Sequence, residues 1–167
     1  MAITFLLGGA RSGKSRRAQQ LAEAVSPNRT FIATAEPLDD EMVDRIAKHQ
    51  ADRGEGWATV EAPLSLAAAV RETARPGHVV LVDCLTLWLS NLMHHKRDIA
   101  VETQQLLDAL ALPGDVLLVS NEVGLGLVPE TPLGRHFRDQ QGRLNQAVAA
   151  ASDRVEFMAA GLPLILK

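Results

Sequence analysis

Residues 8–15 read Gly8-Gly9-Ala10-Arg11-Ser12-Gly13-Lys14-Ser15, a G-x-x-x-x-G-K-S spacing that sits between an apolar run and a helix-like segment. The pattern is that of a phosphate-binding loop. A triphosphate needs several donors aimed at one place, and successive backbone N–H groups converge only where the chain takes conformations that glycine tolerates. Lys14 would set an ammonium on the β- and γ-phosphate oxygens, and Ser15 would offer its hydroxyl to Mg²⁺. A helix starting near Lys14 would add the partial positive charge of its N-terminus. A glycine-rich turn between a strand and a helix is the plainer reading of the same residues.

Two further positions carry chemistry of the same kind. Asp83 follows four apolar residues, Val79 to Val82. An acid at the carboxyl end of a buried strand is placed to hold Mg²⁺ directly or through water, and it is equally placed to cap a following helix. His49 has Arg45 four residues before it and Arg53 four residues after, so on a helix the three share one face. Two guanidiniums disfavour the imidazolium and can hold phosphate oxygens, which suits a neutral nucleophile. A solvated polar face carrying a chance histidine has the same spacing. Glu122 opens a long loop, where it can orient a hydroxyl, join a metal shell or face solvent. Arg135, Arg138 and Arg143 form a basic stripe within reach of a phosphate or simply of water. His78, His94, His95 and His136 lack comparable neighbours and read as surface or helix-end residues.

The elements that must position these groups follow from periodicity. Residues 3–7 form a nearly continuous apolar strand of the kind buried on both faces. Lys14 to Val25 is a helix with Ala18, Leu21, Ala22 and Val25 on one face, stopped by Ser26-Pro27-Asn28, and Thr30 to Thr34 is a second strand. This is a βαβ unit with a right-handed crossover. Helices are expected over Asp39 to Arg53, Leu64 to Ala74, Leu85 to His95, Val101 to Leu110 and Leu133 to Ala151, the last weakened at Gly142. Strands are expected over Trp57 to Glu61, Val79 to Val82, Val116 to Ser120, Asp153 to Met158 and Leu162 to Leu166. The connection Ala159-Ala160-Gly161 is so short that the last two strands must be antiparallel. The alternation predicts a three-layer α/β domain with a mostly parallel sheet.

Bulk properties narrow the function classes. A chain of 167 residues is expected to form a single domain over 1–167. With 17 basic and 20 acidic residues the net charge is −3, so no global field draws nucleic acid or an anionic membrane, and anions must be held by local geometry. Aromatics at 4% leave little for stacking on single strands. The lone Cys84 excludes an internal disulfide, and no signal-like start or long apolar span is visible, so a cytoplasmic protein is expected.

Beyond the phosphate loop, the chain resembles the bifunctional adenosylcobinamide kinase / adenosylcobinamide-phosphate guanylyltransferase family along nearly its whole length. The resemblance runs through residues 8–15, Ile32-Ala33-Thr34-Ala35, Asp40-Glu41-Met42 with Arg45, Ile46 and His49, Trp57 to Glu61, and Asp83-Cys84-Leu85-Thr86. It continues through Asn121-Glu122-Val123-Gly124, Val128-Pro129-Glu130, residues 134–139 and residues 142–146. Only the first of these is shared with many other phosphate-loop proteins. The resemblance implies a RecA-like P-loop fold, a homotrimer, and GTP, ATP and Mg²⁺ as nucleotides and metal. It implies phosphoryl transfer to the aminopropanol hydroxyl of adenosylcobinamide, then transfer of GMP from GTP to that phosphate through a guanylyl-histidine at His49. GTP contacts are implied at Ala33, Thr34, Ala35, Gln50, Ala51, Asp52, Arg53, Glu61 and Asp83. This sequence departs from some relatives at Lys48, where they have another histidine, and is short around His94 to Val101. A plain P-loop kinase of a small hydroxylated metabolite uses Lys14, Ser15 and Asp83 equally, and differs at His49. A nucleotide-gated interaction module is the non-enzymatic alternative.

Overall fold

The computed structural model describes residues 2–36 and 56–167. Its centre is a seven-stranded sheet of β1 (Ile3–Gly8), β2 (Arg29–Ala33), β3 (Trp57–Glu61), β4 (Val79–Asp83), β5 (Asp115–Asn121), β6 (Arg154–Ala159) and β7 (Leu162–Ile165). The order across the sheet is β3-β2-β4-β5-β1-β6-β7, parallel throughout except for the antiparallel β6–β7 hairpin. Five helices are described: α1 (Lys14–Val25), α2 (Leu66–Thr73), α3 (Leu85–His94), α4 (Ile99–Leu110) and α5 (Pro132–Ala151). The expected helix over Asp39 to Arg53 lies outside the described residues.

Strand side chains alternate between two apolar layers, as a period of two requires. Phe5, Val80, Val82, Val116 and Leu118 enter the larger layer, with α2, α3, α4 and α5. Leu6, Val79, Leu81, Leu117 and Val119 enter the other, with Ala18 and Ala22 of α1. Small residues on α1 let the phosphate-loop helix lie close to the sheet, so the loop at its head is held by a rigid element.

Several strands run one residue further than their apolar patterns suggest. β1 reaches Gly8, β4 reaches Asp83 and β5 reaches Asn121. In register, Gly8 lies beside Asn121 and Ala33 lies beside both Asp83 and Glu61, so polar strand ends line up along one edge. β2 ends at Ala33 instead of Thr34, because the Thr34 hydroxyl turns to the Cys84 backbone. α5 continues unbroken through Gly142; a buried face of Gln141, Leu144, Asn145 and Val148 outweighs one glycine.

His78 corrects the surface reading of the lone histidines. It is buried, and its Nε2 lies 2.8 Å from Thr30 Oγ1. Thr30 lies in β2 and His78 immediately precedes β4, and the pairing of those strands brings the two side chains together. His94 and His136 are exposed as expected, and His95 pairs with Glu36 at 2.9 Å.

Candidate active site at the carboxyl edge of the sheet

The phosphate loop is the turn between β1 and α1. Gly13, at the α1 N-cap, has φ of 96°, a left-handed conformation that a side chain would strain. Gly8 is needed for space, since a Cβ there would run into the Met158 carbonyl oxygen. Lys14 folds back over the loop and is almost wholly buried. Its Nζ donates to Gly9 O at 2.5 Å and lies 3.4 Å from Ser12 Oγ. Burial lowers its pKa, while the nearby Asp83 carboxylate acts in the opposite direction. A buried ammonium held by backbone oxygen and faced by an acid is a charge kept ready for an anion. Ser15, one residue into α1, is exposed.

Asp83 ends β4, and the helix-capping role open to it in the sequence belongs to its neighbour. Cys84 is the N-cap of α3, with its Sγ accepting from Leu87 N at 3.5 Å. Its thiol is pushed up to about 11 by burial and by Asp83, which leaves it inert as a nucleophile. The Asp83–Cys84 junction is clamped by the residue that follows β2: Thr34 Oγ1 donates to Cys84 O at 2.7 Å and accepts from Cys84 N at 2.9 Å. Asn91 on α3 donates to Thr34 O at 2.7 Å and Pro63 O at 3.0 Å.

The next strand end is braced likewise. Asn121 N donates to Thr86 Oγ1 at 2.8 Å, and Asn145 Nδ2 to Asn121 O at 3.2 Å. Beneath them Ser120, Gln141 and Asn145 form a buried network. Glu122 N donates to Gly8 O at 3.0 Å, which joins the following loop to the phosphate loop. The Glu122 carboxylate accepts from Gly124 N at 2.6 Å. Arg135 donates to Pro129 O and Glu130 O, Arg138 pairs with Asp139, and Arg143 is exposed. In this arrangement Arg135 ties the loop to the start of α5.

Residues 8–15, Ala33, Thr34, Ala35, Glu61 and Asp83 therefore gather at one edge, where ligands bind in open α/β sheets. His49, Gln50, Ala51, Asp52 and Arg53, with Arg45, lie outside the described residues. No group of three or more metal-binding side chains occurs among the described residues. Magnesium does not need one: a hydroxyl and a carboxylate beside a triphosphate suit an ion that keeps water and phosphate oxygens in its shell. The supporting roles of Thr86, Asn91, Gln141 and Asn145 were not read from the sequence. Thr86 and Asn145 stand there within the stretches of family resemblance, and Asn91 and Gln141 show only as polar residues on faces otherwise destined for the core.

The family model described as cobinamide kinase / cobinamide phosphate guanyltransferase matches residues 4–166. The bifunctional adenosylcobalamin biosynthesis protein CobP of Pseudomonas aeruginosa is 50% identical over 98% of this chain and 96% of its own. Its counterpart CobU of Escherichia coli is 40% identical over 99% of each. Among solved structures, the flagellar accessory protein FlaH of Methanocaldococcus jannaschii aligns with a TM-score of 0.55 at 15% identity, covering 99% of this chain and 78% of its own. The RadB recombinase aligns at 0.55 and 12%, covering 93% and 73%. Those two likenesses concern the fold.

Proposed function

The chain belongs to the cobinamide kinase / cobinamide phosphate guanyltransferase family, and from that premise we propose that it carries out both reactions on adenosylcobinamide. The kinase step transfers the γ-phosphoryl group of a nucleoside triphosphate, ATP or GTP, to the aminopropanol hydroxyl, releasing the diphosphate and a proton. The second step joins GMP from GTP to the phosphate so made, giving adenosyl-GDP-cobinamide and pyrophosphate. One observation carries this reading: the gripped phosphate loop with buried Lys14, and Asp83 beside it, share one sheet edge in a chain that the family matches almost end to end.

Each side chain has a part. The backbone of residues 8–15 and Lys14 bind the triphosphate and hold its β- and γ-oxygens in line with an acceptor. Ser15 and Asp83 are the residues that would hold Mg²⁺, which supplies charge neutralisation at the transferred phosphorus when bound. Thr34, Ala33, Ala35 and Glu61 line the neighbouring strand ends, where the rest of GTP would rest, together with Gln50, Ala51 and Asp52. His49 is the nucleophile of the second step. Its neutral imidazole attacks the α-phosphorus and forms a P–N bond as the P–O bond to pyrophosphate breaks. The cobinamide phosphate oxygen then displaces the histidine. Arg45 and Arg53 stabilise the spreading α-phosphoryl charge and disfavour the imidazolium.

The same reading makes the protein a homotrimer, with residues 1–167 as one folded unit, working in the cytoplasm on a small-molecule acceptor, without nucleic acid or membrane. Support for self-association comes from β7, an edge strand with Leu162, Leu164 and Ile165 exposed. No helix among the described residues is long and apolar enough to cross a membrane.

The test is incubation with α-labelled GTP and Mg²⁺, followed by acid and base. Wild-type protein retains label that survives base and is lost in acid, as a phosphoramidate is. His49→Ala loses label and guanylyl transfer yet still phosphorylates adenosylcobinamide. An unlabelled wild type would leave a plain kinase.

A further inference from the structure

The phosphate loop is gripped from behind by the far end of the chain. β6 runs parallel to β1 with Met158 in register beside Gly8, and the space a Gly8 side chain would take is filled by the Met158 carbonyl oxygen. Three residues on, in the β6–β7 turn, Gly161 N donates to Ser12 O at 2.9 Å. A Cβ on Gly13 would lie 3.2 Å from Gly161 Cα. The hydroxyl of that same Ser12 lies 3.4 Å from Lys14 Nζ, so a continuous line of contacts runs from the turn through Ser12 to the phosphate-binding ammonium. Below it, Glu156 of β6 accepts from Arg17 of α1 at 2.9 and 3.1 Å, fixing the helix to the same strand.

We propose that the β6–β7 turn positions the phosphate loop, with the Gly161 N–H holding the Ser12 carbonyl turned away so that the loop's own N–H groups converge on the triphosphate. The alternating peptide directions of an anion-binding loop require this. When some N–H groups point inward, neighbouring carbonyls must point outward and need a donor of their own. Gly161 supplies that donor from a segment about 150 residues away in sequence. The glycine is required on its own side as well, because the turn passes Ala160 at φ of 51° and Gly161 at 80°. Gly161 is therefore a positioning residue for triphosphate binding in both transfers, a role that rests on the loop holding a triphosphate as proposed above.

A matched pair of substitutions separates positioning from stability. Gly77 has φ of 75°, and neither it nor Gly161 has a neighbour within 4 Å of an added Cβ. Gly77→Ala and Gly161→Ala thus carry similar backbone strain, but the Gly77 turn lies at the opposite edge of the sheet. Both variants are expected to lose similar melting temperature. Alanine keeps the N–H at 161 but disfavours the left-handed φ of 80° that aims it at Ser12 O, so only Gly161→Ala is expected to weaken GTP binding measured by calorimetry with Mg²⁺, by roughly two- to tenfold, up to the worth of one hydrogen bond. KM for triphosphate should rise in both reactions while kcat changes less. Equal GTP affinity in the two variants overturns the inference. If Gly161→Ala does not fold, amide exchange on the wild type decides: the Gly161 amide should slow on adding GTP and Mg²⁺ while the Gly77 amide does not, and an unchanged Gly161 rate overturns it. A wild type that binds no GTP at all overturns the phosphate-site reading, and this inference with it.

Discussion

Lys14 and His78 sit at opposite edges of the same sheet, 7% and 6% exposed, and burial lowers the pKa of both. What surrounds them differs. Lys14 faces Asp83 and rests on a backbone carbonyl of a loop built to receive anions. His78 meets the Thr30 hydroxyl, its Nδ1 has no hydrogen-bond partner among the described residues, and the charge that reaches it is the positive one of Arg75. The same desolvation therefore leaves one base charged and poised for a ligand and the other neutral and structural. Burial alone does not mark a site; a counter-charge with exchangeable partners does.

Substitutions at the two edges should separate cleanly. Lys14→Ala is expected to lower triphosphate affinity and both activities by about a hundredfold or more, the range for losing one charged donor, with little change in melting temperature. A variant that binds normally but melts early would reverse the roles assigned to the two edges. Asp83→Asn comes next. Turnover should fall by about a hundredfold with stability nearly unchanged, because Cys84 holds the helix cap. Thermal melts paired with steady-state kinetics check this.

His78→Phe belongs to the other side. It strands the Thr30 hydroxyl and should cost about 1–3 kcal/mol in urea unfolding, leaving kcat/KM for the folded enzyme as in the wild type. The smallest effect is its pH signature. The folded pKa lies below the ordinary 6.5, so the folded state binds fewer protons. Stability is full above about 6.5 and declines as pH falls from there toward the folded pKa, then levels off. That segment should vanish from the stability profile of His78→Phe. It is distinct from any loss at Glu156, whose pKa is lowered chiefly by its Arg17 hydrogen bond, so that its decline begins only around the ordinary carboxylate value of 4.5.

The legible parts of the molecule are those specified by near neighbours in sequence. Residues 8–15 announce a phosphate loop because its geometry depends on local glycines and one lysine, and Val79 to Asp83 announces a buried strand with an acid at its end for the same reason. The antiparallel hairpin followed from a three-residue connection. What stayed hidden depends on strand order. His78 looked like a surface histidine because its burial needs β2 and β4 side by side. The burial of Gln141 and Asn145 in α5 went unread because the reason for it is Ser120, on a strand the periodicity of α5 does not mention. Arg135 stayed open between a phosphate and water because charge and spacing carry no information about the two loop carbonyls that it binds.

The placement of β1 bears on how the protein comes to exist. Its flanking strands are β5 and β6, and the hydrogen bonds at its start reach Asp115 and Asp153, 113 and 150 residues away in sequence. The strand that carries the phosphate loop thus precedes the other six described strands in sequence, and its pairing with β6 spans the longest stretch of chain among them. Such distant pairing slows closure of a fold. During synthesis the Ile3-Thr4-Phe5-Leu6-Leu7 stretch keeps one open apolar edge until β6, residues 154–159, has been made. A ribosome that stalls before Arg154 releases a chain whose signature motif is intact in sequence but whose strand lacks one of its two flanks.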